Sequence, residues 1–297
     1  MSDGMIELKA GRLHALVAPH AGGSLARFEA ATFDTKNAAL MRPAPDLAST
    51  DPLTMACYPL LPFVGRVAFG HFRFEGRDVT LPPHPISAPH ALHGIGWQRP
   101  WSVTAAGDRT ATIALDHDGG AGWPWRFRAQ QTFALDEMNL TQTLTITNRD
   151  DTSMPAGLGV HPFFPNRQTA RMTGDLPLIW ESSANGLPTN RVDVIAVRNF
   201  AHGRRIAPLT LDNCFSGGRG PIDIHWDDEA LGIRIHGREA GHTVVYTPQA
   251  EDFFCVEPVT IVPNAFNRQE GPDVTGLRVL APDETMSLTV RYEVLGL

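Results

Sequence analysis

The sequence predicts an all-β fold in which many short strands form two large sheets packed face to face. Three observations predict it. Apolar and polar residues alternate wherever a stretch is long enough to test, as at Ile113 and Leu115, Phe127 and Ala129, and Phe133 and Leu135, which is the period of a strand with one buried face. The 24 prolines and 27 glycines are spread through the whole chain, a distribution that suits strands and turns and opposes long helices. No segment of about a dozen residues carries a 3.6-residue period; the stretch from Asp46 to Met55 offers one helical turn or a loop.

Taken in order, Trp101 to Ala105 and Thr110 to Leu115 read as a hairpin across Gly107-Asp108. Trp125 to Leu135 and Met138 to Asn148 flank Asp136-Glu137 as a longer one, closed off by the turn Asn148-Arg149-Asp150-Asp151. Ile222 to Trp226 and Leu231 to Gly237 pair across Asp227-Asp228-Glu229, and Met286 to Val294 is the last strand. Roughly fifteen to twenty strands are expected, more than an ordinary sandwich holds, so the sheets must be large and their edges covered by loops. A single domain over residues 1–297 is expected. No Ser/Gly-rich linker, charge run or low-complexity tract divides the chain, and the proline-rich stretch from Leu81 to Pro89 is short enough to be a loop.

With 42% hydrophobic residues the chain buries a large core. A formal charge of −7 with scattered Lys and Arg offers no basic stripe for phosphate backbones, which disfavours nucleic acid as a partner. Cys57, Cys214 and Cys255 are an odd number at distant spacings, which fits free thiols in a reducing compartment. No basic start followed by an apolar run opens the chain, and no 18 apolar residues stand together. A soluble, cytoplasmic protein without membrane contact is expected.

Two segments carry chemistry. In Gly159-Val160-His161-Pro162-Phe163-Phe164-Pro165 and in Cys255-Val256-Glu257-Pro258-Val259-Thr260, one titratable side chain sits among apolar neighbours and is followed by proline. Proline's fixed φ and missing N–H favour strand edges and turns, where a strand end presents a charge to a pocket. Histidine titrates nearest neutrality, and a glutamate among Phe253, Phe254, Val256 and Val259 loses hydration, so the pair suits proton transfer on a sugar or carbonyl compound. Either residue alone is more often a hydrogen-bonded structural group.

With these motifs in place the chain resembles an aldose 1-epimerase, or galactose mutarotase. The resemblance runs in order through Pro62-Phe63-Val64-Gly65-Arg66-Val67 with Gly70 and Phe72, Leu92-His93-Gly94, Gly122-Trp123-Pro124-Trp125 and the His161 segment. It continues through Leu211-Asp212-Asn213-Cys214-Phe215, Val245-Tyr246-Thr247 leading to Glu257-Pro258, and Leu280-Ala281-Pro282-Asp283-Glu284. Where the family's best-studied branch has Ala-Asn-Arg this chain has Val64-Gly65-Arg66, so an asparagine that helps to hold sugar is absent; Leu-His-Gly-Gly is here Leu92-His93-Gly94-Ile95. The resemblance implies a single-domain β-supersandwich with a sugar cleft on one concave face. It implies a monosaccharide substrate, no cofactor and no metal, and it leaves the oligomeric state open.

Site residues follow from both lines of reasoning. Arg66 ends an apolar stretch from Tyr58, so it is either a structural ion pair or faces a ligand; the resemblance makes it a ligand for sugar oxygens. Asp212 is an Asx turn or, by the resemblance, an acceptor for sugar hydroxyls. His93 becomes a sugar hydrogen-bonding residue and Gln249 corresponds loosely to a sugar-binding glutamine. His84, His90 and His93 have spacings that metals accept, but no Asp or Glu lies near and four prolines crowd the loop. Asp116-His117-Asp118-Gly119-Gly120 lacks the spaced carboxylates of a calcium loop and reads as a polar turn. Trp97 and Phe163 either line the cleft or pack in the core.

The expected reaction is the interconversion of α and β anomers of a free aldose such as galactose or glucose. Glu257 acts as general base on the anomeric hydroxyl and protonated His161 as general acid on the ring oxygen. Arg66, His93 and Asp212 fix the ring. A hexose-6-phosphate mutarotase, with Arg167, Arg171 and Arg268 at the cleft rim, and a noncatalytic carbohydrate-binding protein are the alternatives; only the second has no use for the acid and the base.

Overall fold

The computed structural model describes residues 4–31 and 37–296. Among them are 26 strands, five 3-10 turns and a four-residue α-helix, Pro272–Thr275. The strands outnumber the sequence expectation because ribbons such as Arg66–Val67 with Ala91–Leu92 are too short for any periodicity to show. Eleven strands form one sheet from Ile6–Ala10 at one edge to Pro188–Asp193 at the other, and nine form a second from Ser102–Ala106 to Arg204–Arg205. The ladders of both sheets are antiparallel, so the architecture is a β-supersandwich.

The long hairpin lies where the alternation put it. Arg126–Leu135 pairs with Asn139–Asn148 from Phe127 opposite Asn148 to Leu135 opposite Leu140. Asp136 closes the turn by accepting from the backbone N–H groups of Met138 and Asn139, each at 2.8 Å. The last strand, Thr285–Leu295, inserts between Asn139–Asn148 and Gly232–Arg238 and so forms the centre of the nine-stranded sheet. Between Asp46 and Met55 the chain makes the 3-10 turn Pro52–Thr54, capped by the Asp51 carboxylate on Leu53 N at 3.0 Å.

Two apolar layers result because the central strands of the eleven-stranded sheet are buried on both faces. In Phe253–Val259, Phe254 and Val256 join the core between the sheets, whereas Cys255 and Val259 join a second cluster on the other face with Tyr58, Leu60, Phe163, Cys214 and Val244. Double-sided burial explains why these strands read as continuous apolar runs.

One expectation is corrected here. The prolines after His161 and Glu257 were expected at strand edges, yet Gly159–Pro165 lies between Cys57–Leu60 and Phe253–Val259, well inside the sheet. The ladder tolerates them because it is interrupted where they fall: Gly159 pairs with Val259, and pairing resumes only at Phe163 with Cys255. Pro162 and Pro258 sit in that gap, where a missing N–H breaks no ladder bond.

A loop beside the sheet is equally constrained. Gly94 has φ 72° and an added Cβ would stand 2.0 Å from the carbonyl oxygen of Leu61, which also accepts from Ile95 N at 3.0 Å and Gly96 N at 3.1 Å. Left-handed backbone plus this contact excludes any side chain without movement. Gly94→Ala is expected to lower unfolding free energy by more than about 2 kcal/mol in urea denaturation; a change under about 0.5 kcal/mol would show that the loop adjusts freely.

Candidate active site

The register that joins the two chemical motifs also makes the site. Counting inward from Gly159 opposite Val259 and Phe163 opposite Cys255, His161 stands opposite Glu257, and its Nε2 lies 3.4 Å from Glu257 Oε1. Both face a cavity of about 530 Å³ that is also lined by Arg66, His93 and Asp212. Five of the six residues singled out from the sequence therefore meet at one place.

Packing fixes their orientation. The register sets Tyr58 beside His161, and the two rings stack at 4.6 Å with 19° between planes. Phe163 covers the imidazole at 4.7 Å and Trp97 lies against Tyr58 at 5.1 Å. Phe163 lines the cavity, while Trp97 is a buried support beneath it, its Nε1 donating to Gly94 O at 3.1 Å. His93 is clasped to the neighbouring loop: its N–H donates to Gly65 O at 2.9 Å, and its Nδ1 accepts from Gly65 N at 3.1 Å. Acceptance at Nδ1 assigns the ring proton to Nε2, making that atom a donor. Arg66 Nη1 donates to Asp212 Oδ2 at 3.0 Å and to Gly186 O at 3.1 Å, so ion pair and cavity wall are the same contact.

Burial governs the electrostatics. It pushes the Glu257 carboxyl well above the ordinary carboxylate range, with the charge of Asp212 adding to the shift and Arg66 opposing it. Burial also takes His161 down to about 3, helped by the Arg42 cation, and takes His93 well below its ordinary value, with His161 and Arg66 adding to the shift. Both shifts run the same way, so a single proton on the pair sits on the carboxyl rather than on the imidazole. Glu257 Oε2 and His161 Nδ1 are buried without a hydrogen-bond partner among the described residues. Two such atoms left unpaired in the protein interior are costly. Cys255 offers a sulfur within 4.8 Å of a ligand atom of His161 and one of Glu257, and burial pushes its thiol far up.

Other sequence assignments fall elsewhere. Gln249 is exposed and donates to Thr210 Oγ1 at 2.5 Å; it is not on the cavity wall, where Tyr246 and Glu251 stand instead. Its strand ends at Tyr246, so the turn that follows carries Gln249 outward. The arginines considered for a phosphate rim do not reach the cavity either. Arg167 is buried on the backbone carbonyls of Pro248, Ala207 and Leu209, Arg171 approaches Asp227 at 3.7 Å, and Arg268 holds Glu270 at 2.6 Å and lies over Trp180. His90 Nδ1 accepts from Phe69 N at 2.9 Å, and His84 packs on Trp97 at 5.1 Å. The sequence reading missed Arg42, which lines the cavity, because its only signal was a lone arginine in a loop.

The sequence model described as Aldose 1-epimerase matches residues 4–293, and the chain belongs to that family. Among relatives, the uncharacterised protein YphB of Escherichia coli (strain K12) is 29% identical over 251 residues, covering 81% of this chain and 84% of its own. A galactose mutarotase-like protein from Clostridium acetobutylicum shares the fold with a TM-score of 0.87 at 18% identity, covering 99% of this chain and 95% of that one. The Caenorhabditis elegans GalM/aldose epimerase homologue does so at 0.85 and 17%, covering 99% of both chains.

If burial sets the state of the pair, His161 stays neutral in weakly acidic solution. Its imidazole ¹⁵N shifts are expected to titrate near 3 rather than near the ordinary ~6.5. A midpoint at the ordinary value in two-bond ¹H–¹⁵N spectra would show that water reaches the ring.

Proposed function

We propose that this protein is a mutarotase that interconverts the α and β anomers of an aldose by general acid and base catalysis. The observation that carries the reading is the His161–Glu257 pair, 3.4 Å apart on adjoining strands at the wall of one sugar-sized cavity. Ring opening needs one group to take the proton of O1 while another gives a proton to O5. Bound sugar hydroxyls solvate the carboxylate, and the single proton of the pair moves from Glu257 to His161 Nε2. Glu257 then takes the O1 proton and His161 protonates O5 as the C1–O5 bond breaks. That step returns the pair to its resting form, a neutral carboxyl beside a neutral imidazole. Rotation about C1–C2 presents the other face of the aldehyde, and the same transfers run backwards to close the ring. Nε2–H of His93 and the Arg66–Asp212 pair hold ring hydroxyls in place, which fixes the reacting atoms against the acid and the base.

Glu257→Gln and His161→Asn are each expected to lower kcat by about 10²–10⁴-fold in polarimetry of freshly dissolved α-anomers of glucose and galactose. Sugar binding should persist, since each replacement nearly keeps the shape of the site. Rates within about twofold of wild type for both variants would abandon the mechanism and favour a noncatalytic sugar-binding protein.

The pH profile follows from the directions of the two shifts. Activity needs one proton on the pair. It falls in acid when His161 takes a second proton, near 3, and in base when the raised Glu257 carboxyl loses its own. The expected log kcat/KM is therefore flat above the acid limb and falls only once the raised carboxyl ionises, with macroscopic midpoints that belong to the pair. Ordinary values of ~4.3 and ~6.5 would give instead a narrow peak between them, and a peak of that kind would refute the burial argument.

A further inference from the structure

The two arginines of the cavity wall are not equivalent. Arg66 is matched by Asp212 at 3.0 Å. Arg42 has no carboxylate within 4.0 Å among the described residues, although it is only partly exposed. Its Nη2 donates to the carbonyl oxygens of Leu53 at 2.6 Å and Met55 at 3.0 Å, which anchors the head without neutralising it. Nε is buried without a partner. The guanidinium lies over Phe163, 4.0 Å from the ring centroid, and 4.6 Å from that of Phe253. Phe163 in turn packs against His161 at 4.7 Å with its ring tilted by 32°, so this cation is anchored one aromatic ring from the acid and base.

A partly desolvated guanidinium is stable when it is paired or when it receives a ligand. Nothing in the wall supplies the pairing. Asp212 is engaged with Arg66, and Glu257 faces His161 at 3.4 Å, with burial pushing its carboxyl upwards and so disfavouring its charged form. Glu251 also lines the cavity and its charge favours the Arg42 cation, but it is exposed to solvent and makes no ion pair with Arg42. The aromatic faces beneath attract the cation without cancelling its charge. A planar head fixed by two carbonyls is preorganised for a second, anionic acceptor.

We propose that Arg42 receives an anionic group, a carboxylate or a phosphate, carried by the aldose itself, and so selects an acidic sugar over its neutral counterpart. This rests on the mutarotase reading of the same cavity. It places the anionic group on the His161 side of the ring.

Equilibrium binding by calorimetry at neutral pH tests it, with galactose, galacturonate and galactose 6-phosphate as probes on the wild type, Arg42→Gln and Arg42→Lys. One or both acids are expected to bind the wild type at least about tenfold tighter than galactose, and that advantage should shrink as salt is raised. The acid-to-galactose ratio should collapse towards one in Arg42→Gln and persist in part in Arg42→Lys, with melting temperature confirming that each variant folds. Which acid carries the preference tells carboxylate from phosphate recognition. Acids that bind the wild type no better than galactose, or a preference that survives in Arg42→Gln, would overturn the inference. Polarimetry on the same sugars separates the two claims. If no aldose, neutral or acidic, is turned over, the mutarotase reading fails. If galactose is turned over and the acids gain nothing, only the role of Arg42 does.

Discussion

The antiparallel register between Gly159–Pro165 and Phe253–Val259 is the constraint on which the cavity depends. It brings together two side chains 96 positions apart in sequence and does so with backbone hydrogen bonds on either side, so neither residue relies on its own loop for position. Because a strand's side chains alternate with a period of two, slipping this register by one residue would turn either His161 or Glu257 into the core between the sheets. The buried neighbours Val160, Phe164, Phe254 and Val256 forbid that slip, since each would then face the polar cavity.

Around that register the supports are redundant. Tyr58 stacks on the imidazole and Phe163 packs against it at a tilt, and the reciprocal bonds of His93 and Gly65 tie two loops into one wall. Sites on strands are held more tightly than sites on loops, and the polar groups that need aim are held on strands or clamped to them. The mutarotation proposed above asks for little beyond such aim, because the substrate supplies both the leaving oxygen and the nucleophile.

The sequence made the fold and half of the wall legible for a plain physical reason: patterns with a period can be read, and contacts across the chain cannot. The hairpin of Arg126–Leu135 and Asn139–Asn148 and the last strand stand within a residue or two of where alternation sets them. The two proline motifs were legible as chemistry but not as central strands, since proline usually marks an edge and only the interrupted ladder makes an exception. Gln249 failed because a residue just past a strand end is placed by the turn, and no turn signal specifies which way it leaves. Arg42 and Tyr58 were illegible for a different reason. A lone arginine in a loop and a tyrosine in an apolar run look structural until the partner strand is known. The charge balance that distinguishes Arg42 from Arg66 exists only in three dimensions.

The doubly buried sheet has a consequence for how such a protein changes over time. Odd and even positions along the same strand answer to different demands: Val256 and Phe254 to the packing between sheets, Phe253 and Glu257 to whatever occupies the cavity. Substitutions on the cavity side leave the other layer's contacts intact, and effects on the two sides should combine almost additively where the residues share no partner. A lineage can therefore revise what its cavity admits, one alternate residue at a time, while the opposite face of the same strands keeps the architecture constant.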